Sequence, residues 1–358
     1  MAVGASVQHE IDQLYLDLET SDLQPLWTQG PALQPFQPAP RTKAWMWEWE
    51  TLVALAQRAG KLITIDRGGD RRVLSMVNPG LGGLPFITPT LWGAIQYLNG
   101  HEQAPGHRHT AGAVRFVLQG EGTWTTVNGD AIDMSPGDLI LTPSWHWHDH
   151  TNESDDAMVW FDGLDLPLVY MLEAGFFEPY PVEELQPVRG HNLSEKLYGN
   201  GTAPIGPEER DVTAPLLVYR YTHSDRRLSA LVEMGGGPLV GIEFLNPLTG
   251  SNAIPTFSNE MYRLVPGSRT MPVRKVGNSV FLVFKGSGTS IVDGKRFDWR
   301  QGDVFVAPSW AAVEHEASEQ ADLFVISDRP IMQALGIFRS ETLDDHQEEV
   351  STFSGHDS

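Results

Sequence analysis

The chain has 358 residues, no cysteine and a formal charge of −21, from 46 acidic against 25 basic side chains. The absence of cysteine excludes disulfides, zinc–thiolate sites, iron–sulfur clusters and thiol nucleophiles, and the charge repels nucleic acid and anionic membrane surfaces. With 41% hydrophobic residues the chain can bury a core in two domains or one two-lobed body, and no apolar run approaches the roughly 18 residues of a membrane helix.

The first residues, MAVGASVQHEIDQLYLDLE, lack the basic and apolar blocks of a secretory signal, which predicts a cytoplasmic protein. Residues 20–45, rich in proline and tryptophan, are predicted to be extended. WETLVALAQRAG at 49–60 places Leu52, Val53, Leu55 and Ala56 at helical spacing and predicts a helix ended by Gly60. TLWGAIQYL at 90–98, after Pro89, is predicted to form a shorter helix. Two stretches then repeat. FVLQGEGTWTTVNGDAIDMSPGDLILTPSW begins at Phe116 and LVFKGSGTSIVDGKRFDWRQGDVFVAPSW at Leu282. With one single-residue gap they align Gly120 with Gly286, Gly129 with Gly294, Gly137 with Gly302, Asp138 with Asp303 and Trp145 with Trp310. Each copy reads as short strands punctuated by turns, and Asn128-Gly129 and Asp293-Gly294 are hairpin signals. The expected fold is mainly β, with two jelly-roll barrels from an internal repeat behind an N-terminal helical and extended segment. The expected boundaries are an arm at 1–85, a first barrel at 86–175, a linker region at 176–235, a second barrel at 236–340 and a frayed acidic tail at 341–358.

Five of the chain's 12 histidines fall in two clusters, GHRHTAGAVRF at 106–116 and PSWHWHDHTN at 143–152. On a strand, His107 and His109 share a face, as do His146, His148 and His150. Two such strands converging offer neutral imidazoles to one cation, and iron, zinc, copper and nickel all suit them. A bound cation would also supply the local positive charge that an anionic substrate needs on so acidic a protein.

The spacing around these clusters resembles the cupin double motif. His107-Arg108-His109 stands for its H-x-H and Gly120 for its closing glycine. Gly137, Pro143, His148 and Asn152 match the second half, so the resemblance selects His148 as the third metal ligand. The motif's usual glutamate falls at Ala113, which leaves a three-histidine site without a carboxylate. In the second copy the corresponding positions are Val273, Lys275 and Val313, so that barrel is expected to be structural or interfacial, with His315 on its surface. PLWTQ at 25–29, RGGDRR at 67–72, NPGLGG at 78–83, PTLWGAIQYL at 89–98 and FDGLDLPL at 161–168 resemble the gentisate 1,2-dioxygenase family. That family's relatives cleave salicylate and 1-hydroxy-2-naphthoate. The likeness runs from about Pro25 to about Arg339.

The resemblance implies a cytoplasmic bicupin, usually tetrameric, that holds non-haem Fe(II). Such an enzyme opens gentisate with O2 between the carboxyl-bearing and neighbouring hydroxyl-bearing carbons, giving maleylpyruvate. It implies a small aromatic ortho-hydroxy acid as substrate and no nucleic-acid or membrane partner. Arg115 shares the parity of His107 and His109. On an unbroken strand it points into the same barrel, to pair a substrate carboxylate or an oxygen-derived anion. His150 is expected to give or take a proton, or to make a structural hydrogen bond. Asp162 is expected to orient a histidine or arginine. Trp92, Ala94 and Gln96 are expected to border the substrate, Arg71 to reach its carboxylate and Arg72 to face away. His146 stands between site and packing. Three alternatives remain at this point. They are the same cleavage of another ortho-hydroxy acid, a three-histidine zinc hydrolase or isomerase, and a cupin that binds without chemistry.

Overall fold

In the computed structural model, which describes residues 2–68, 72–181, 185–206 and 213–355, the repeat folds as two jelly-roll lobes of two facing sheets each. In the first lobe one sheet contains Trp92–Leu98, Ala113–Gln119, Leu139–Thr142 and Met158–Leu164. The facing sheet contains Gln103–His109, Thr123–Val127, Asp130–Met134 and His148–Asn152. The second lobe repeats this with Ser258–Leu264, Ser279–Lys285, Val304–Ala307 and Ala321–Ser327 opposite Val273–Lys275, Ser287–Val292, Lys295–Arg300 and Ala312–Ala317. Both predicted hairpins form. Asn128 and Gly129 have φ of 46° and 83°, and Asp293 and Gly294 have 48° and 76°, the double positive φ of a type I′ turn.

The repeat is longer than its glycine-rich parts, and its leading segments are exchanged between lobes. Trp45–Trp47 pairs with Val304–Ala307 of the second lobe, whereas Val218–Tyr219 pairs with Leu139–Thr142 of the first. The helix Trp49–Leu62 starts on Asp303, whose Oδ1 accepts from the Trp49 N–H at 2.8 Å. The helix Tyr221–Glu233 starts on Asp138 in the same way, at 2.9 Å. The two aspartates matched by the repeat are thus reciprocal acceptors for otherwise unsatisfied helix N–H groups. Gly302 must be glycine here, because its φ is +91° and a Cβ would lie 2.3 Å from Trp49 Cγ. Strand alternation turns Phe116 out of the first lobe, where it stacks on Phe324 of the second with ring centroids 4.2 Å apart. The two lobes therefore share one core.

Several expectations are corrected. Residues 92–98 form a strand rather than a helix, paired along its length with Met158–Leu164. The helix at 49 runs on to Leu62, and Gly60 serves packing instead, since a Cβ there would lie 2.5 Å from Tyr97 Cε1. Residues 20–45 are not all extended, because Leu26–Leu33 is helical directly after Pro25. Residues 1–39 form a separate unit, with an unforeseen helix at Ala2–Thr20 and the Trp27 indole donating to the Tyr15 hydroxyl at 3.2 Å. The region at 176–235 is not merely a linker, since Phe177–Pro179 and Gly190–His191 extend the first lobe's histidine-bearing sheet. Through residue 355 the tail is not frayed. Ser351–Thr352 pairs with Lys295–Arg300, and the Phe353 ring lies 5.0 Å from both Phe297 and Trp45. Among the described residues no helix is long and apolar enough to cross a membrane.

Candidate metal centre and active site

The two histidine clusters meet because Gln103–His109 and His148–Asn152 are antiparallel neighbours, with His107 directly opposite His148. An irregularity between Ala104 and His107 shifts the register and sets that pairing. One ligand nitrogen each from His107, His109 and His148 lies within 4.8 Å of the others. Each Nδ1 faces a backbone carbonyl, that of Pro105 at 3.3 Å, Ala111 at 2.8 Å and His146 at 3.0 Å respectively. A carbonyl only accepts, so Nδ1 carries the proton in all three rings and Nε2 carries the lone pair. Burial and the neighbouring histidines and Arg115 hold His148 well below its usual range, hence neutral. Neutral donors with fixed tautomers are what a divalent cation requires, so the three residues fit a metal.

The turn that carries the Ala111 carbonyl is tied down from both lobes. Asp165 accepts from the Gly112 N–H at 2.8 Å and from Thr256 Oγ1 of the second lobe at 2.6 Å. Ala113 follows on the opposite sheet, buried against the cavity where a fourth, anionic ligand would otherwise stand.

The cavity between the sheets has a volume of about 420 Å³. The metal histidines line one wall and Arg115, Asp162, Trp92 and Gln96 the other. Arg115 does reach the cavity, but not along an unbroken strand, because it belongs to Ala113–Gln119 in the facing sheet. Its side chain is 4% exposed. Nη1 donates to Thr142 Oγ1, and Nε stands 3.5 Å from Asp162 Oδ1 without a hydrogen-bond partner. Asp162 also accepts from the Trp160 indole at 3.1 Å. Burial raises Asp162 to about 6 against the opposing pull of Arg115. Nε keeps an N–H without an acceptor, and Asp162 is the carboxylate beside it.

His150 also faces the cavity, with Nδ1 2.9 Å from Thr125 Oγ1. Burial, Arg115 and His107 keep it neutral. Ala94 points the same way as Trp92 and Gln96, in register with Asp162, but is covered completely. His146 is not brought to the site. It is half-exposed, its Nδ1 donates to the Ser144 carbonyl at 2.9 Å, and it does not line the cavity. Arg71 lies outside the described residues. Arg72 turns away to Glu102 and to the carbonyl of Ile63 at 2.9 Å. An apolar wall of Val169, Phe176 and Phe177, continuing from Leu164, has no motif of its own in the sequence. The Phe177 ring sits 5.4 Å from that of His107.

Known proteins share this plan. The cupin domain matches residues 94–164, which contain all three ligand histidines. A gentisate 1,2-dioxygenase from Streptomyces sp is 47% identical over 340 residues, covering 92% of this chain and 95% of that protein. The chain belongs to the gentisate 1,2-dioxygenase family. A 5-aminosalicylate 1,2-dioxygenase from Comamonas sp is 35% identical over 343 residues, covering 94% of this chain and 91% of that one. The crystal structure of a salicylate 1,2-dioxygenase from Pseudoaminobacter salicylatoxidans, as adducts with gentisate, matches with a TM-score of 0.90 and 40% identity over 94% of each chain. The protein is therefore an oxidoreductase of the bicupin type, a ring-cleaving dioxygenase. Membership of this family disfavours the zinc hydrolase and the chemistry-free cupin.

Proposed function

We propose that the protein cleaves gentisate with O2 to maleylpyruvate, with Fe(II) held by His107, His109 and His148. The observation that carries this reading is the three-histidine cluster on one wall of a cavity whose other wall holds Arg115 and Asp162. When bound, Fe(II) supplies the redox chemistry that couples an electron-rich ring to O2. The protein's side chains do the rest. Arg115 donates to the substrate carboxylate or to negative charge that develops near it, and Asp162 holds the guanidinium in place. Neutral His150 takes a proton from, or returns one to, a ring hydroxyl. Trp92 and Phe177 flank the ring and exclude water, and Gln96 offers an amide to a ring substituent. Arg71 is proposed as a further partner of the carboxylate. We place the enzyme in the cytoplasm as a homo-oligomer, a tetramer by likeness to the family. Exposed Ile11, Leu14, Tyr15 and Trp27 on the N-terminal helices support association.

A second reading rests on volume. A cavity of about 150 Å³ already admits a benzene ring, so about 420 Å³ leaves room for substituted salicylates, salicylate or 1-hydroxy-2-naphthoate. Steady-state rates on these acids after loading with Fe(II) decide between the two. Gentisate, whose second hydroxyl makes the ring most electron-rich, is expected to turn over fastest. Brisk naphthoate turnover beside none with gentisate reverses the assignment.

A further inference from the structure

The second lobe keeps a cavity of its own, of about 170 Å³, and its chemistry has changed rather than vanished. By strand register, Val273 and Val313 face each other where His107 and His148 do in the first lobe, so no metal triad remains. Lys275 takes the place of His109, Phe281 that of Arg115, and His315 that of His150. His315 is not a surface residue, as its position suggested. It is buried on the cavity wall with Nδ1 2.7 Å from Ser290 Oγ. Ser290 Oγ already accepts from the Trp299 indole at 2.8 Å. Its hydroxyl proton is free to be donated to His315 Nδ1, the arrangement that places the imidazole N–H on Nε2. No described residue partners that Nε2. Burial, and then the charge of Lys275, lower His315 to about 4, so it is neutral near pH 7.

The cavity's other charged groups satisfy one another. Arg329 Nη2 donates to Glu243 at 2.6 Å and Glu260 at 2.9 Å, and Glu260 also accepts from Tyr262 and from Ser258 at 2.7 Å. Lys275 is exposed, lines the cavity and has no carboxylate partner among the described residues. The remaining wall is largely apolar, with Val273, Val313, Phe281 and Met271.

We propose that the second lobe binds a small organic carboxylate about one ring in size, its carboxylate on the Lys275 ammonium and the His315 Nε2–H and its body against Phe281, Val273 and Val313. Two donors, one of them charged, match a carboxylate's two oxygens. The volume matches a single ring, because about 150 Å³ of apolar cavity holds benzene. An inorganic anion would leave the apolar wall unused.

The test titrates the full-length protein with 4-fluorobenzoate, followed by fluorine NMR, in the wild type, Lys275→Met and His315→Gln. Ring-cleavage activity of Lys275→Met, which lies outside the first cavity, checks folding. The expected result is that each variant loses one bound 4-fluorobenzoate per chain, or binds it at least about tenfold more weakly. Neither 4-fluorobenzamide nor sulfate should displace it. Equal stoichiometry and affinity in all three proteins, no saturable binding that depends on Lys275, or equal displacement by sulfate would each overturn the proposal.

Discussion

Replacing Arg115 by Met separates what the buried ion pair does for the fold from what it does for the reaction. The side chain is 4% exposed and stands 3.5 Å from Asp162, itself buried. Removing one partner of such a pair costs about 3–5 kcal/mol, mostly from the charge left behind. Here the cost should fall near the lower end. Asp162 already sits at about 6, and without the guanidinium, the largest influence lowering it, it rises further, which eases the stranded charge. Arg115→Met should therefore lose about 3 kcal/mol in urea denaturation. Adding Asp162→Leu removes the stranded carboxyl and should recover most of that loss. Activity should not follow. A charged donor aimed at developing charge contributes about 2.7–4 kcal/mol, so kcat/KM should fall by about 10²- to 10³-fold in single and double variants alike. Oxygen uptake with gentisate measures this. A double variant that is stable and within about threefold of wild-type kcat/KM would refute the role given to Arg115.

Other consequences follow from the same structure. His148→Ala should reduce bound metal per chain to near zero by elemental analysis and abolish oxygen uptake, while a folded circular-dichroism spectrum persists. His315 has a folded value of about 4, below the ordinary 6.5. Between those pH values the unfolded chain binds a proton that the folded protein refuses. Stability should fall as pH drops from 6.5 towards 4, by about 3 kcal/mol in full. His315→Gln should flatten that slope in denaturation midpoints measured across the range and leave ring cleavage intact. Phe353→Ala, which removes a ring packed at 5.0 Å against both Trp45 and Phe297, should destabilise the protein by about 1–3 kcal/mol. No change in its thermal midpoint would mean that the tail is not held as described.

Local chemistry was the legible part of the sequence. The metal triad could be read because hairpin turns and glycines fix the spacing between His107, His109 and His148, and the structure closes those turns with positive φ at Asn128 and Gly129. Residues 92–98 were misread because a strand buried on both faces is apolar throughout, and periodicity does not separate it from a buried helix. Trp92 and Gln96 still reach the cavity, since a spacing of four shares a face in a strand as well as in a helix. Arg115 lines the cavity for a reason that strand parity with the histidines does not supply, because its sheet lies across the cavity from theirs. What escaped altogether depends on distant partners. His315 is buried by Ser290 and Phe281, the tail is held by Lys295–Arg300 and Phe297, and Asp303 caps a helix some 250 residues earlier in the chain. No local pattern announces any of these.

The central claim is the three-histidine iron site acting on an ortho-hydroxy acid. Its most direct test is anaerobic loading of the protein with Fe(II) and gentisate, followed by a measured pulse of O2 with oxygen and ring-opened product recorded together. The expected result is one O2 consumed for each ring opened, with neither change in the His148→Ala protein. Ring opening without oxygen uptake, or undiminished turnover after His148→Ala, would contradict it.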